Sequence, residues 1–366
     1  MANIIPYALN ATEPVTAEDF TEADSLVLSA LSYLQFPQKS GAATWQGVRL
    51  HDLFRAEYFA ELQGELHEDY IHLLAVCACS RRFRNIRVCG YRSQTDAERE
   101  QQFAAVSYRL SPTLGYVAFR GTDSSFIGWR EDFNLALEAP VPSQAEAADY
   151  LEEAASHLPE QLMAGGHSKG GNLAVYAAAT VSRVIRGRLC GVYSHDGPGF
   201  RSDTLAAPGF AEIRPIIHKS IPQGSIVGLL LSQDADYHII RSNGKGFGQH
   251  NPFTWRVEGC SFDAMDEITV EAKLINGAIR GWLDSLSRTE YRQFIDTFFG
   301  LLESTEATTF NDIQLHRRAL VPVILKAASA LPLESRQFLR RQLYELASGG
   351  MRELHEILRS YEILHR

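Results

Sequence analysis

The stretch Gln161-Leu-Met-Ala-Gly165-Gly-His-Ser168-Lys-Gly170-Gly-Asn172, continued by Leu173-Ala-Val-Tyr-Ala-Ala-Ala-Thr180, decides the fold. An apolar run, a serine set among glycines and an alanine-rich run read in turn as a strand, a tight turn and a helix. Gly166 and Gly170 stand two positions either side of Ser168, where a side chain would collide with the strand or the helix. The serine itself must then take a strained backbone conformation. Such a turn exposes a hydroxyl at the carboxyl end of a sheet, so Gly166-His167-Ser168-Lys169-Gly170 offers Ser168 as a candidate nucleophile. A glycine-rich turn that merely starts a helix shares the pattern.

Working outward, the spacing predicts strands at Ile86 to Tyr91, Phe103 to Leu110 and Leu114 to Arg120, then a helix near Gln144 to Leu158 and a strand at Gln161 to Gly165. The helix opened by Lys169 is expected to run to about Ile185, with further strands at Cys190 to His195, Arg214 to Ile221 and Tyr237 to Ser242. Strands alternating with helices of that length indicate βαβ units. The expected class is α/β, an α/β-hydrolase fold with a mostly parallel central sheet and helical N- and C-terminal additions.

Residues 1–82 read as a helical extension packed on the core, with a capping start at Thr16 to Asp19 and helices near His51 to Gln63 and Glu68 to Ser80. Residues 83–261 read as the catalytic core. Residues 262–366 read as a helical segment with stripes such as Phe294, Phe298, Leu301 and Leu302, a candidate lid, cap or homodimer contact.

A net charge of −9 without long single-sign runs excludes an electrostatic footprint for nucleic acid. No apolar run approaches the roughly 20 residues of a spanning helix, and Met1 to Val15 has neither the basic nor the apolar region of a signal peptide. Five cysteines with no regular spacing, Cys77-Ala-Cys79 falling one residue short of a CxxC pair, read as free thiols. A cytoplasmic protein acting on a small molecule is expected.

A serine hydroxyl needs a base, usually a histidine held by a carboxylate, in the chain order Ser, acid, His. Among the histidines after Ser168 (His195, His218, His238, His250, His316, His355 and His365), His250 follows the last predicted strand on the glycine-rich loop Gly244-Lys-Gly-Phe-Gly248. It is the candidate base. Asp196 is the candidate acid, opening the turn Asp196-Gly-Pro-Gly199 beside the elbow, with Asp234 and Asp236 as rivals. The oxyanion needs backbone donors: the N–H of Lys169 and, after the strand ending in Phe119-Arg-Gly-Thr122, that of Thr122. Trp129 and Asp132 are expected to pin that loop. Lys169 is read as a surface lysine at the first helical turn, or as positive charge beside the nucleophile.

Together, Val117-Ala-Phe-Arg-Gly-Thr122, Trp129, Asp132 and Gly-His-Ser-Lys-Gly-Gly171-Asn172 resemble the core of the class 3, fungal-type lipases. The match is closer to the bacterial Mbeg1-like hydrolases, a family of largely undefined function. There it extends to Asp196-Gly-Pro-Gly-Phe200, Ile221-Pro-Gln-Gly-Ser-Ile-Val-Gly-Leu-Leu230 and Gln249-His-Asn-Pro-Phe-Thr-Trp255, covering roughly residues 16–260. In one respect this chain departs from the lipases. Where they carry their acid it has Ser225, and some lipases of the wider fold instead take the acid from the end of the preceding strand, the position of Asp196. With that departure the substrate class is not carried over from the lipases; the serine, histidine and aspartate candidates themselves point to hydrolysis of a carboxylic ester through an acyl-enzyme, with no metal or organic cofactor. Thioesters, amides and peptides answer to the same machinery, and a non-catalytic binding protein is the reading if no carboxylate meets His250.

Overall fold

The computed structural model describes residues 2–233 and 235–364, those from 350 onward as backbone only. Asp234 and His365 lie outside the described residues, and so does the side chain of His355. Among the described residues, nine strands form one sheet in the order β1 (Val48–Arg49), β2 (Arg87–Asp96), β3 (Gln101–Arg109), β4 (Leu114–Phe119), β5 (Gln161–His167), β6 (Leu189–His195), β7 (Ile217–Pro222), β8 (Tyr237–Ile240), β9 (Ala264–Met265). The class is α/β.

The expected mostly parallel sheet holds only at the centre. Strands β4 to β8 pair in parallel, whereas β1–β2, β2–β3, β3–β4 and β8–β9 are antiparallel. The reason is connection length: β2, β3 and β4 are joined by turns of a few residues, which permit only antiparallel pairing, while a parallel neighbour needs a crossover. β4 and β5 are flanked on both faces, so their runs are almost continuously apolar and buried.

The N-terminal extension is part of this body. It supplies the edge strand β1, and the helices α1 (Ile4–Asn10), α2 (Glu22–Leu31) and α3 (Glu68–Cys79) bury Ile4, Leu26, Leu31 and Leu73 against one face. Helix α2 begins later than the spacing predicts. Thr16 and Asp19 do exchange hydrogen bonds, but these close only a turn. The helix starts after Thr21, whose capping box uses Asp24, a buried carboxylate gripped by Arg82 through two bonds of 2.7 Å. The expected helix at His51 to Gln63 is three short turns, in which Leu50, Leu53 and Leu62 are buried.

On the other face lie α4 (Phe126–Asn134), α5 (Pro142–His157) and α6 (Lys169–Thr180). Helix α6 stops five residues short of the expected Ile185, because Val181 turns extended and buries its side chain. The strand expected from Arg214 begins only at Ile217, after a 3-10 turn that carries Pro215. The C-terminal segment contains α7 (Val270–Ser285), α8 (Arg288–Glu303), α9 (Arg317–Ala330) and α10 (Leu333–Leu364). Phe294, Phe299 and Trp282 form a separate apolar cluster with Phe126 and Leu137, so these helices pack directly on α4. Among the described residues no helix is long and apolar enough to cross a membrane.

Candidate active site

The register of the central strands sets the site. His167 of β5 pairs with His195 of β6, so the residues that follow, Ser168 and Asp196, leave neighbouring strands at one level. Both have left-handed backbones, φ +60° and +52°, a strain that survives only where the surroundings over-determine it. The Ser168 N–H is tied to the His195 carbonyl at 2.9 Å and the Asp196 N–H to the Ser220 carbonyl at 2.8 Å. Gly166 and Gly170 permit the turn: a Cβ on Gly170 would stand 2.1 Å from the Phe119 carbonyl oxygen, and one on Gly166 2.3 Å from the Gly170 backbone.

His250 follows β8 on a short 3-10 turn, and its Nδ1 lies 2.6 Å from Asp196 Oδ2. A carboxylate only accepts, so Nδ1 carries the proton and Nε2 is left as an acceptor. The other oxygen, Asp196 Oδ1, accepts from the Ser225 hydroxyl at 2.5 Å and the Gly228 N–H at 3.1 Å. The serine that departs from the lipase pattern thus donates to the aspartate one strand away. Asp236 is exposed.

Ser168 is 9% exposed, and among the described residues its hydroxyl has no hydrogen-bond partner. It shares a cavity of about 660 Å³ with Thr122, Trp129, Asp132 and His250. The Arg120-Gly-Thr122 loop abuts the elbow so closely that a Cβ on Gly121 would lie 3.0 Å from Ser168 Cβ. The backbone N–H groups of Thr122 and Lys169 make no hydrogen bond within the described residues. The Thr122 hydroxyl donates to Asp132 Oδ2 at 2.5 Å, and burial pushes the Asp132 carboxyl up to about 6. Most of the rest of the lining is apolar, and much of it comes from the C-terminal helices through Ile279, Trp282, Phe294, Phe298 and Leu346.

Lys169 is not a surface lysine. Its side chain is fully buried, and Nζ donates to Glu131 Oε2 at 2.9 Å, Gln102 Oε1 at 3.0 Å and the Gln102 carbonyl at 2.7 Å. Glu131 also accepts from the N–H of Gln102 and from the N–H and hydroxyl of Ser143. Its charge is therefore neutralised locally rather than offered to a ligand.

His167 does more than occupy the elbow. Its Nε2 donates to the His250 carbonyl at 2.7 Å, and its Nδ1 accepts from Tyr33 at 3.0 Å, linking the N-terminal segment to the histidine loop. Sequence reasoning missed Tyr33, which lies 134 positions away and carries no local signal. Burial holds His167 well below its ordinary value, and His195, bonded to Ser25 at 2.8 Å, down to about 3.

A histidine with a depressed folded value takes up its proton first in the unfolded chain. The stability it contributes is complete above 6.5 and is lost as pH falls from 6.5 toward the folded value. Urea denaturation at pH 7 and pH 5 is expected to show a loss of about 2 kcal/mol from His195 alone. His195→Gln is expected to remove that share, and an unchanged difference between the two pH values would show that His195 is not buried neutral.

Fold and site together define an α/β protein with a strained serine at a strand-to-helix elbow and a histidine–aspartate pair beside it. The chain belongs to the Mbeg1-like family, whose sequence model matches residues 77–300. That span overlaps most of the resemblance seen from the motifs, starting later than residue 16 and reaching past residue 260 into the C-terminal helices. No curated protein sequence matches the chain. Among solved structures, the chain is similar to the M37 lipase (14% identity, 57% of this chain and 70% of that one, TM-score 0.38). It is also similar to the Rhizomucor miehei lipase in its propeptide complex (15% identity, 72% and 94%, TM-score 0.39).

Proposed function

We propose that this chain is a serine hydrolase of the α/β-hydrolase fold that cleaves carboxylic esters. The observation that carries the reading is the 2.6 Å bond between His250 and Asp196 beside a strained Ser168, whose hydroxyl has no partner among the described residues and which shares a mostly apolar cavity with His250. Ser168 attacks the carbonyl carbon while His250 Nε2 takes its proton. Asp196 fixes the tautomer and stabilises the imidazolium. The N–H groups of Thr122 and Lys169 receive the oxyanion, and such donors are worth about 10²–10³ in kcat each. His250 then protonates the leaving alkoxide, and water, deprotonated by the same imidazole, releases the acyl group. The apolar lining favours esters with a hydrocarbon acyl chain over peptides, whose backbone would leave polar groups unpaired there.

The test is labelling of the purified protein with a fluorophosphonate, which needs an activated serine and little substrate fit. Wild type is expected to label, and Ser168→Ala and His250→Ala are expected not to. Folded wild-type protein that stays unlabelled would turn the reading toward a binding protein that keeps the pocket without the chemistry.

A further inference from the structure

We propose that residues 315–344 form a docking surface for an anionic lipid bilayer. The chain as a whole is acidic, at −9, yet this segment holds six cations (Arg317, Arg318, Lys326, Arg336, Arg340 and Arg341) against a single anion, Glu334. It also gathers the exposed apolar side chains. Of the large hydrophobic residues exposed on the described surface, seven of thirteen lie here, with Leu315 at 77%, Leu325 at 64% and Tyr344 at 70%. Isolated exposed apolar residues are ordinary; their concentration on a basic segment is what points to a surface.

The pattern is set by helix geometry. On α9 the packed face is Leu320, Ile324, Ala327 and Ala328, and the opposite face presents Arg318, Pro322, Leu325 and Lys326. On α10 the exposed row is Arg336, Arg340, Leu343 and Tyr344, at helical spacing. Mixed basic and apolar rows on helices that lie flat on a protein suit the interface of a bilayer, where the cations meet anionic headgroups and the apolar side chains enter the acyl boundary. A purely protein partner of acidic character would satisfy the cations but leave Leu315 and Leu325 without an apolar bed. The surface also borders the cavity: Leu343 is 45% exposed and at the same time forms part of the wall that encloses Ser168. A chain docked here sets one wall of that cavity against the membrane.

The proposal does not rest on the hydrolase reading, so the full-length Ser168→Ala variant serves as the test protein. Co-sedimentation is measured with vesicles of phosphatidylcholine alone and of phosphatidylcholine with phosphatidylglycerol. Binding is expected only to the anionic vesicles and is expected to weaken at 0.5 M salt. Each basic residue contributes about fivefold to the partition coefficient, so Arg318→Gln/Lys326→Gln/Arg340→Gln should lower it on the order of 100-fold. Leu325→Ser/Tyr344→Ser should lower it while leaving the salt dependence in place. Circular dichroism and thermal melts confirm that both variants fold, as expected for exposed positions. Failure to bind anionic vesicles, equal binding to neutral ones, or binding unaffected by the triple variant overturns the proposal. So does a dimer in sedimentation velocity that the apolar double variant dissolves.

Discussion

Asp196→Asn is expected to lower kcat toward a simple aryl ester by about 10⁴-fold while the protein stays folded. Asp196 Oδ1 accepts two donors, the Ser225 hydroxyl and the Gly228 N–H, and an asparagine keeps its single carbonyl oxygen for them. Its amide nitrogen must then face His250. A donor at that position forces Nδ1 to accept and moves the ring proton to Nε2, where it meets the Ser168 hydroxyl instead of receiving its proton. Binding of substrate is little affected, so the loss falls on kcat rather than KM. Asp236→Asn is the matched control and is expected to retain wild-type rates, because Asp236 is exposed and His250 has its carboxylate from Asp196. Steady-state kinetics with near-ultraviolet circular dichroism make the comparison. An Asp196→Asn enzyme within tenfold of wild type would remove Asp196 from the mechanism.

Lys169→Met is expected to destabilise the protein by about 3–5 kcal/mol, the range for removing one partner of a buried ion pair. Read from the sequence as a surface lysine at a first helical turn, Lys169 looks replaceable. It is not, because Glu131 and Lys169 are both fully buried, and a lone Glu131 carboxylate would remain in the interior. The double variant Lys169→Met/Glu131→Gln is expected to recover part of the loss, since a neutral amide no longer demands a counter-charge. Urea midpoints for the two single variants and the double variant give the coupling energy. A Lys169→Met protein within 1 kcal/mol of wild type would show that the pair contributes little. The consequence reaches the site, because α4 carries Glu131 beside Asp132, which holds Thr122 at 2.5 Å.

The local features were legible for a local reason. The elbow's signature is confined to five residues, so Gly166, Ser168 and Gly170 declare it, although the contact that bars a Cβ on Gly170 is with Phe119 of the neighbouring strand. The same holds for the turn signals, while the start of α2 is set by the capping box of Thr21 and Asp24, whose carboxylate is also held by the distant Arg82. The edges of the sheet were less legible because β1 and β9 are two-residue strands with almost no periodicity to read. That the C-terminal helices wall the cavity left no mark in their amphipathic stripes, which any partner face would satisfy.

By itself the sequence determined the class of fold and the residue offered as nucleophile, since both depend on alternation and short-range sterics. Only the tertiary structure decided which carboxylate meets His250 and what becomes of the Lys169 charge. Asp196 and His250 are 54 positions apart and meet because the register of β5 on β6 sets the aspartate at the level of the elbow. Lys169 is neutralised by Glu131, 38 positions earlier, on a helix whose placement no local pattern encodes. Contacts between distant segments follow from how the strands are ordered and the helices packed, and the spacing of residues along one segment carries no information about either.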